Sequence, residues 1–183
     1  MDDKRKVRVS KFLSRILRHA PEEVGLTLEP GGWVLVADLL HAAAGAGKHI
    51  TRDELAEIVR SSDKQRFAFD ETGIKIRANQ GHSVEVDLQL EQAEPPAELF
   101  HGTAERNLTA ILRDGLLKMA RHHVHLSPDT TTAIKVGSRH GKPIVLVVDT
   151  VKMRGDGHIF FVSSNGVWLV EHVPPQYLRV LEH

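Results

Sequence analysis

Hydrophobic residues in the first part of the chain recur at the three- and four-residue intervals of an amphipathic helix. The first stripe consists of Phe12, Leu13, Ile16 and Leu17. It predicts a helix that ends before Pro21. A second helix is predicted around residues 36–43. The pattern Thr51-Arg-Asp-Glu54 is typical of the capping box that opens a helix, and it predicts a third one.

The period of the pattern then changes to two. Segments 66–69 and 73–77 alternate apolar with polar residues and are joined through a turn at 70–73, so they predict a β-hairpin. Three helices followed by a hairpin is the order of a winged helix, which often presents a helix and a wing to nucleic acid. A small α+β domain without that task fits the same order equally well.

The second half of the chain has a mostly β pattern. Predicted strands cover 99–103, 124–127, 144–149, 159–162, 167–171 and 177–181. One helix is predicted from about Glu105 to a stop at Gly115, and another begins at Ser127-Pro128 with Ser127 as its cap. Asn165-Gly166 between two apolar runs predicts a tight hairpin.

Between the two halves, residues 91–98 contain two prolines, three acids and no aliphatic side chain larger than Ala. This composition favours a boundary. The predicted organisation is an N-terminal lobe at 1–92, a linker at 93–98 and a C-terminal lobe at 99–183. The fold class is therefore α+β.

Composition narrows the class of protein. The 183 residues include 24 Lys and Arg against 24 Asp and Glu, so an anionic partner must be met by local clusters of positive charge. One such cluster is residues 1–19, with seven basic and two acidic residues. The absence of Cys excludes disulfides, thiolate nucleophiles and Cys-based metal sites. Without a signal-peptide core or a run long enough to span a bilayer, a cytoplasmic protein without a membrane partner is expected.

Two other motifs give only weak evidence for a phosphate site or a metal site. Gly45-Ala-Gly-Lys48 resembles a phosphate loop, but the motif needs Gly in place of Ala42 and Ser or Thr in place of His49. His122, His123 and His125 suggest metal ligands. Without Cys or a nearby pair of acidic ligands, polar or partly buried histidines are the better interpretation, and no metal is predicted.

Cations that could act together are spread along the chain. Arg18 and His19 sit where the first helix ends, a position that favours positive charge whether or not it is functional. Arg66 opens a strand, and Arg139 lies in a Gly- and Lys-rich turn. Together they could form a site for phosphate, because guanidinium groups bind it through paired hydrogen bonds and stay charged.

Two further histidines lie at strand ends, in Phe100-His101-Gly102-Thr103 and Val124-His125-Leu-Ser127. An imidazole beside a glycine can hold a ribose hydroxyl while the exposed backbone pairs with a carboxamide. Nicotinamide carries such an amide.

As a set, these residues resemble the NAD-dependent RNA 2′-phosphotransferases, best known as the tRNA 2′-phosphotransferase of tRNA splicing. The resemblance runs essentially end to end. Its segments are 10–21 (SKFLSRILRHAP), 32–33 (GW), 64–67 (KQRF), 76–83 (IRANQGHS), 100–103 (FHGT), 125–127 (HLS), 137–143 (GSRHGKP) and 165–168 (NGVW).

The resemblance implies a winged-helix RNA-binding lobe followed by an ADP-ribosyltransferase-like NAD-binding lobe, with Arg18, His19, Arg66 and Arg139 as the catalytic set. It implies that an RNA 2′-phosphate attacks the nicotinamide ribose of NAD, which is consumed. The ribose 2″-hydroxyl then attacks phosphorus, releasing RNA with a 2′-hydroxyl, ADP-ribose 1″,2″-cyclic phosphate and nicotinamide. The arginines would stabilise charge on the phosphate, and His19 would transfer a proton or orient the hydroxyl.

In this scheme His101, Gly102 and Thr103 contact nicotinamide and ribose, while His125 and Ser127 hold the adenosine side or the ribose hydroxyls. The stretch 77–83 either lines a cleft between the lobes or is a structural turn. Where many ADP-ribosyltransferases carry a catalytic Glu, this chain has Val167, and the nearest carboxylate, Glu171, is expected outside the cleft.

Two other functions remain open at this point. One is an ADP-ribosyltransferase that modifies nucleic-acid phosphate ends or protein and stops there. The other is a nonenzymatic RNA-binding protein. The physiological RNA is not specified by the sequence, and two lobes that share one cleft favour a monomer.

Overall fold

The computed structural model of the chain describes residues 1–62 and 64–182. Its packing divides it into two compact units, Met1–Gln89 and Leu90–His183. The segment predicted as a linker, 93–98, lies within the second unit. There the N–H of Ala93 donates to the carbonyl of Phe160 at 3.1 Å, and the hydroxyl of Thr150 donates to the carbonyl of Pro96. The segment is thus hydrogen-bonded to the rest of the second unit, with most of its residues exposed.

The first unit consists of three helices and a three-stranded antiparallel sheet. The helices are α1 (Asp3–Arg18), α2 (Val36–Gly45) and α3 (Arg52–Ser61). The strands are β1 (Val34–Leu35), β2 (Phe67–Phe69) and β3 (Lys75–Ala78). β3 lies in the middle, with the fully buried Ile76 opposite both Val34 and Phe69. The three predicted helices and the hairpin are confirmed.

Local sequence explains why these helices begin and end where they do. Asp2 caps α1, since its carboxylate accepts from the N–H of Arg5 at 2.8 Å. Thr51 and Glu54 form the predicted reciprocal capping box of α3. The apolar stripe of α1 is buried in the core of the first unit: Val9, Leu13, Ile16 and Leu17. This burial fixes which face of α1 looks outward.

The second unit is built mainly from short antiparallel strands. These are β4 (Glu91–Gln92), β5 (Glu98–Ala104), β6 (Leu116–Leu117), β7 (Val124–Leu126), β8 (Pro143–Asp149), β9 (Phe161–Val162), β10 (Trp168–Val170), β11 (His172–Val173) and β12 (Leu178–Val180). The helices are α4 (Leu108–Asp114), α5 (Thr130–Gly137) and α6 (Thr150–Gly155). The predicted Asn165-Gly166 hairpin joins β9 to β10.

The sheets of the second unit meet at one point that matters for the site. One sheet has the order β12-β8-β5, a second has the order β4-β9-β10-β7, and β11 pairs with β6. Phe100 of β5 and Ser127, directly after β7, exchange two backbone hydrogen bonds of 2.8 Å. This bridge joins the end of β7 to the middle of β5.

One predicted helix start is wrong. Ser127 does not cap α5, because its N–H and C=O are both bonded to Phe100 and hold it extended. The cap is Asp129, whose carboxylate accepts from the N–H of Thr132 at 2.7 Å. The strand predicted at 167–171 is also shorter, so that Val167 precedes β10 and Glu171 follows it.

Candidate functional site

The end of α1 brings two of the predicted catalytic residues to one place. Arg18 is the last helical residue and His19 is the C-cap. The carbonyl of Arg18 accepts from the N–H groups of Ser83, at 2.8 Å, and Val84, at 3.3 Å. The His19 Nδ1 and the Ser83 Oγ lie 2.8 Å apart in a hydrogen bond. Ser83 therefore closes the helix and also holds the imidazole of His19.

Arg66 is held from the other end of the same stretch. The N–H of Asn79 donates to the carbonyl of Arg66 at 3.0 Å, and the Asn79 side-chain amide donates to the carbonyl of Gln65. Gln65 has a φ of +41°, a left-handed conformation that is unfavourable for a residue other than glycine. Asn79 is only 7% exposed. A buried amide thus fixes the turn from which Arg66 projects.

Arg18 also lies near the residue that follows Arg66 in the chain. The guanidinium carbon of Arg18 lies 5.9 Å from the ring centroid of Phe67, the residue directly after Arg66. Phe67 is buried and belongs to the core of the first unit. Arg18, His19 and Arg66 are therefore positioned around the stretch 77–83, which has a structural role within the first unit.

Arg139 belongs to the second unit. It lies in a 3₁₀ turn, Ser138–His140, directly after α5, and it is exposed. The turn follows Gly137, which packs against β5 so closely that a Cβ there would lie 2.8 Å from the carbonyl oxygen of Thr103. The position of Arg139 is thus tied to the strand that carries His101, Gly102 and Thr103.

His101 has a defined protonation and tautomer. Its Nδ1 lies 3.1 Å from the carbonyl oxygen of His125, and since a carbonyl only accepts, Nδ1 carries the proton and Nε2 is the acceptor. Burial, with a smaller contribution from Arg121, lowers the pKa of His101 below its ordinary value. His101 is thus a neutral imidazole at pH 7 whose Nε2 can accept from a hydroxyl.

Gly102 packs closely against α5 on one side, and its backbone N–H and C=O point in a different direction. A Cβ at Gly102 would lie 1.6 Å from the carbonyl oxygen of Ala133 in α5, so no other residue fits without moving that helix. Alternate residues of an antiparallel strand direct their N–H and C=O to the same edge. Because Phe100 directs its groups to Ser127, Gly102 directs its own to the same edge of β5, the edge along which β7 runs.

The remaining predicted residues of this unit surround that edge. His125 lies in β7, opposite Leu169 in β10, and Ser127 is bridged to Phe100. The buried Thr103 accepts from the side-chain amide of Asn107 at 3.3 Å. Arg121, which no sequence pattern distinguished from other surface arginines, places Nη1 3.4 Å from the Nδ1 of His125. It adds a cation beside two of the predicted nucleotide contacts.

Other candidate residues have ordinary surroundings. Glu171 is exposed and pairs with Lys118 at 3.4 Å. His123 packs edge-on against Phe161, and its burial lowers its pKa. Within residues 1–62 and 64–182, no three His, Cys, Asp or Glu side chains are grouped as ligands for a metal ion. Over the same residues, no helix combines the length and apolar character needed to cross a membrane.

Comparison with known proteins finds similarity along nearly the whole chain. The model of the RNA 2′-phosphotransferase, Tpt1/KptA family matches residues 4–172. A "Probable RNA 2′-phosphotransferase" of Trichormus variabilis is 58% identical and covers 99% of this chain and 100% of its own length. A protein of the same description from Streptomyces griseus is 54% identical over 97% of this chain and 98% of its own. With a family match across nearly all its residues and relatives of this identity, the chain belongs to the RNA 2′-phosphotransferase family.

Proposed function

We propose that this protein transfers an internal RNA 2′-phosphate to NAD, giving RNA with a 2′-hydroxyl, nicotinamide and ADP-ribose 1″,2″-cyclic phosphate. Family membership supports the substrate, because the relatives are described as RNA 2′-phosphotransferases. The observation that carries the proposal is the common anchoring of Arg18, His19 and Arg66 on the stretch 77–83. Such anchoring fixes the backbone from which two guanidinium groups project and holds the imidazole directly, and this preorganisation suits phosphoryl chemistry.

The two units contain the secondary-structure elements expected of the two lobes. Three helices and the β2–β3 hairpin in the first unit support a winged-helix RNA-binding lobe. The short antiparallel strands of the second unit, with His101 and Gly102 at the edge of β5, support an ADP-ribosyltransferase-like lobe for NAD. In this assignment the first unit binds the RNA and the second unit binds the dinucleotide.

The residues at the edge of β5 fit a nicotinamide nucleoside. The N–H and C=O of Gly102 point to one edge and form a donor and acceptor pair, which is the complement of a carboxamide. The Nε2 of His101 is an acceptor for a ribose hydroxyl. Thr103, His125 and Ser127 complete the proposed contacts. Bound NAD supplies an anomeric carbon with a good leaving group, which a phosphate that is already ionised can attack without a strong base.

The cationic residues serve mainly the second step. When the ribose 2″-hydroxyl attacks phosphorus, negative charge grows on the phosphoryl oxygens and a proton must leave the hydroxyl. Arg18, Arg66 and Arg139 would stabilise the charge, since guanidinium groups remain protonated at any physiological pH. His19, held through Nδ1 by Ser83, would direct Nε2 to the hydroxyl and either accept its proton or orient it.

The decisive experiment resolves the two steps. A 2′-phosphorylated oligoribonucleotide is incubated with NAD and a molar excess of enzyme, and substrate, ADP-ribosylated RNA and dephosphorylated RNA are separated over time. We expect the His19→Ala and Arg139→Ala variants to accumulate ADP-ribosylated RNA, with the second step slowed about 10² to 10³-fold, the cost of losing one preorganised donor. Arg179→Ala is the matched control, because Arg179 is an exposed arginine on β12 that pairs with Glu98 and is not one of the proposed site residues.

Each result has a definite meaning. If the wild-type protein stops at ADP-ribosylated RNA, it is an ADP-ribosyltransferase and the proposed function is wrong. If it binds NAD and RNA without turnover, it is a nonenzymatic RNA-binding protein. If the variants stall before nicotinamide is released, the family assignment stands but the cations serve substrate binding or the first step. Activity should also survive a chelator, and restoration of lost activity by Mg²⁺ or Zn²⁺ would contradict the metal-free mechanism.

A further inference from the structure

A basic groove lies on the first unit, and none of its lining residues is one of the proposed catalytic or NAD-binding residues. It encloses about 330 Å³ between the N-terminal half of α1 and the loop that precedes α3. Its lining includes Arg5, Arg8 and Phe12 on one side and Lys48, His49 and Ile50 on the other. We propose that this basic groove binds the single-stranded RNA that flanks the 2′-phosphate.

The two sides of the groove are held together by fixed contacts. Arg5 spans them, because its guanidinium donates to both carboxylate oxygens of Glu54, at 2.7 and 3.0 Å, and to the carbonyl of His49 at 2.6 Å. The bonds to Glu54 lower the pKa of that carboxyl to about 2, so the pair stays ionised at neutral pH. Arg5 thus holds the two sides of the groove together, and its charge is balanced by Glu54.

Two other cations of the groove remain available for a ligand. Arg8 and Lys48 are exposed, and among residues 1–62 and 64–182 neither forms an ion pair with a carboxylate. The N–H of Lys48 bonds to the carbonyl of Ala43 at 2.8 Å, and that of Gly47 bonds to the carbonyl of Ala44 at 2.9 Å. The loop 45–48 is therefore the C-terminal turn of α2, with backbone donors turned to the helix. The group of this loop that can bind an anion is therefore the side-chain ammonium of Lys48.

The groove also has an apolar part. Phe12 packs partly against the core of the first unit, and Val9 and Ile50 are 7% and 8% exposed. A groove that combines separated cations with aromatic and aliphatic surface suits a single strand, whose phosphates and bases alternate along its length. A free phosphate ion would use only the cations.

The position of the groove on α1 fits a strand that continues from the proposed catalytic residues. Arg8 and Arg18 are ten residues apart in α1, about 15 Å along the helix axis at 1.5 Å per residue. Since a stacked strand advances about 3.4 Å per nucleotide, this distance corresponds to roughly four nucleotides. This step rests on the proposed function, because it takes Arg18 as a contact to the 2′-phosphate.

The test compares the Arg8→Ala/Lys48→Ala variant with Lys4→Ala/Lys11→Ala, which removes two exposed lysines of α1 that do not line the groove. Binding of fluorescent RNA is measured by anisotropy without NAD, over a range of salt. One RNA extends about six nucleotides on each side of the 2′-phosphate and the other about one, too short to span the roughly four nucleotides to the groove.

We expect the first variant to bind the long RNA more weakly, with a salt slope smaller by about 1.4 for two lost phosphate contacts. Wild type would then lose about sevenfold more affinity than this variant between about 50 and 200 mM salt. Affinity for the short RNA, for inorganic phosphate and for NAD should not change.

Equal weakening by both variants would mean general attraction to a basic surface and would overturn the proposal. So would unchanged binding of the long RNA, with or without capture of a peptide or protein by the groove. A protein that binds the long RNA through the groove but removes no 2′-phosphate would contradict the proposed function and leave the groove assignment intact.

Discussion

Replacing Asn79 with alanine should damage the site far more than it damages the fold. The Asn79 side-chain amide donates to the carbonyl of Gln65, and the substitution removes this bond while the backbone bond from residue 79 to Arg66 remains. Gln65 is exposed, so water can replace the lost donor. We therefore expect the free energy of unfolding to fall by about 1 kcal/mol, the net value of one hydrogen bond.

The effect on catalysis has a different origin. Gln65 is held at a φ of +41°, which costs about 1–2 kcal/mol for a residue with a side chain. Once the bond is gone, the turn can relax to an ordinary conformation and redirect Arg66. The second chemical step should then slow by about 10-fold or more, up to the 10² to 10³-fold loss that follows removal of a preorganised donor.

Urea unfolding and single-turnover kinetics on 2′-phosphorylated RNA measure the two effects separately. Thr72→Ala is the matched control, because it removes the bond from Thr72 to Asp70 and loosens the same hairpin at its other end. A double-mutant cycle with Arg66→Ala supplies the strictest check, since a residue acting through Arg66 adds nothing once Arg66 is absent. Full additivity, or a rate loss no larger than that of Thr72→Ala, would refute the reasoning.

Three further predictions concern packing and titration. Gly102→Ala should destabilise the protein by about 1–3 kcal/mol or more, since the new Cβ would lie 1.6 Å from a backbone oxygen, whereas thermal unfolding of Gly155→Ala, where no atom lies within 4 Å, should be nearly unchanged. The pKa of Glu54 is about 2 in the folded protein against 4.5 ordinarily, so its contribution to stability is complete above pH 4.5 and is lost as pH falls towards 2. Glu54→Gln should flatten urea-unfolding stability over that range, and an unchanged slope would contradict the assignment. Because burial lowers the pKa of His101 from its ordinary value, NAD affinity measured calorimetrically should change little between pH 8 and pH 7 and fall as the pH is lowered further, and His101→Asn should abolish that fall.

What the sequence determined by itself is local. The stripe on α1, the capping box at Thr51 and Glu54 and the Asn165-Gly166 hairpin depend on contacts between residues a few positions apart, and each is predicted from residue type and spacing. The proposed catalytic and nucleotide-binding residues come from a resemblance carried by long ordered motifs. Without that resemblance, the pattern of residues identifies Arg18, His19, Arg66 and Arg139 only as separate cations along the chain.

Tertiary structure decided everything that needed a distant partner. Strands of two residues, such as β1, have no pattern of their own and exist because β3 supplies their hydrogen bonds. The sequence predicts Ser127 as a helix cap, but its backbone is hydrogen-bonded to Phe100, which lies 27 positions away in the chain. Likewise, only the fold shows that Asn79 and Ser83 hold Arg66 and His19. Each of these bonds joins segments far apart in the chain, and hydrophobic periodicity carries no information about which distant segments will meet.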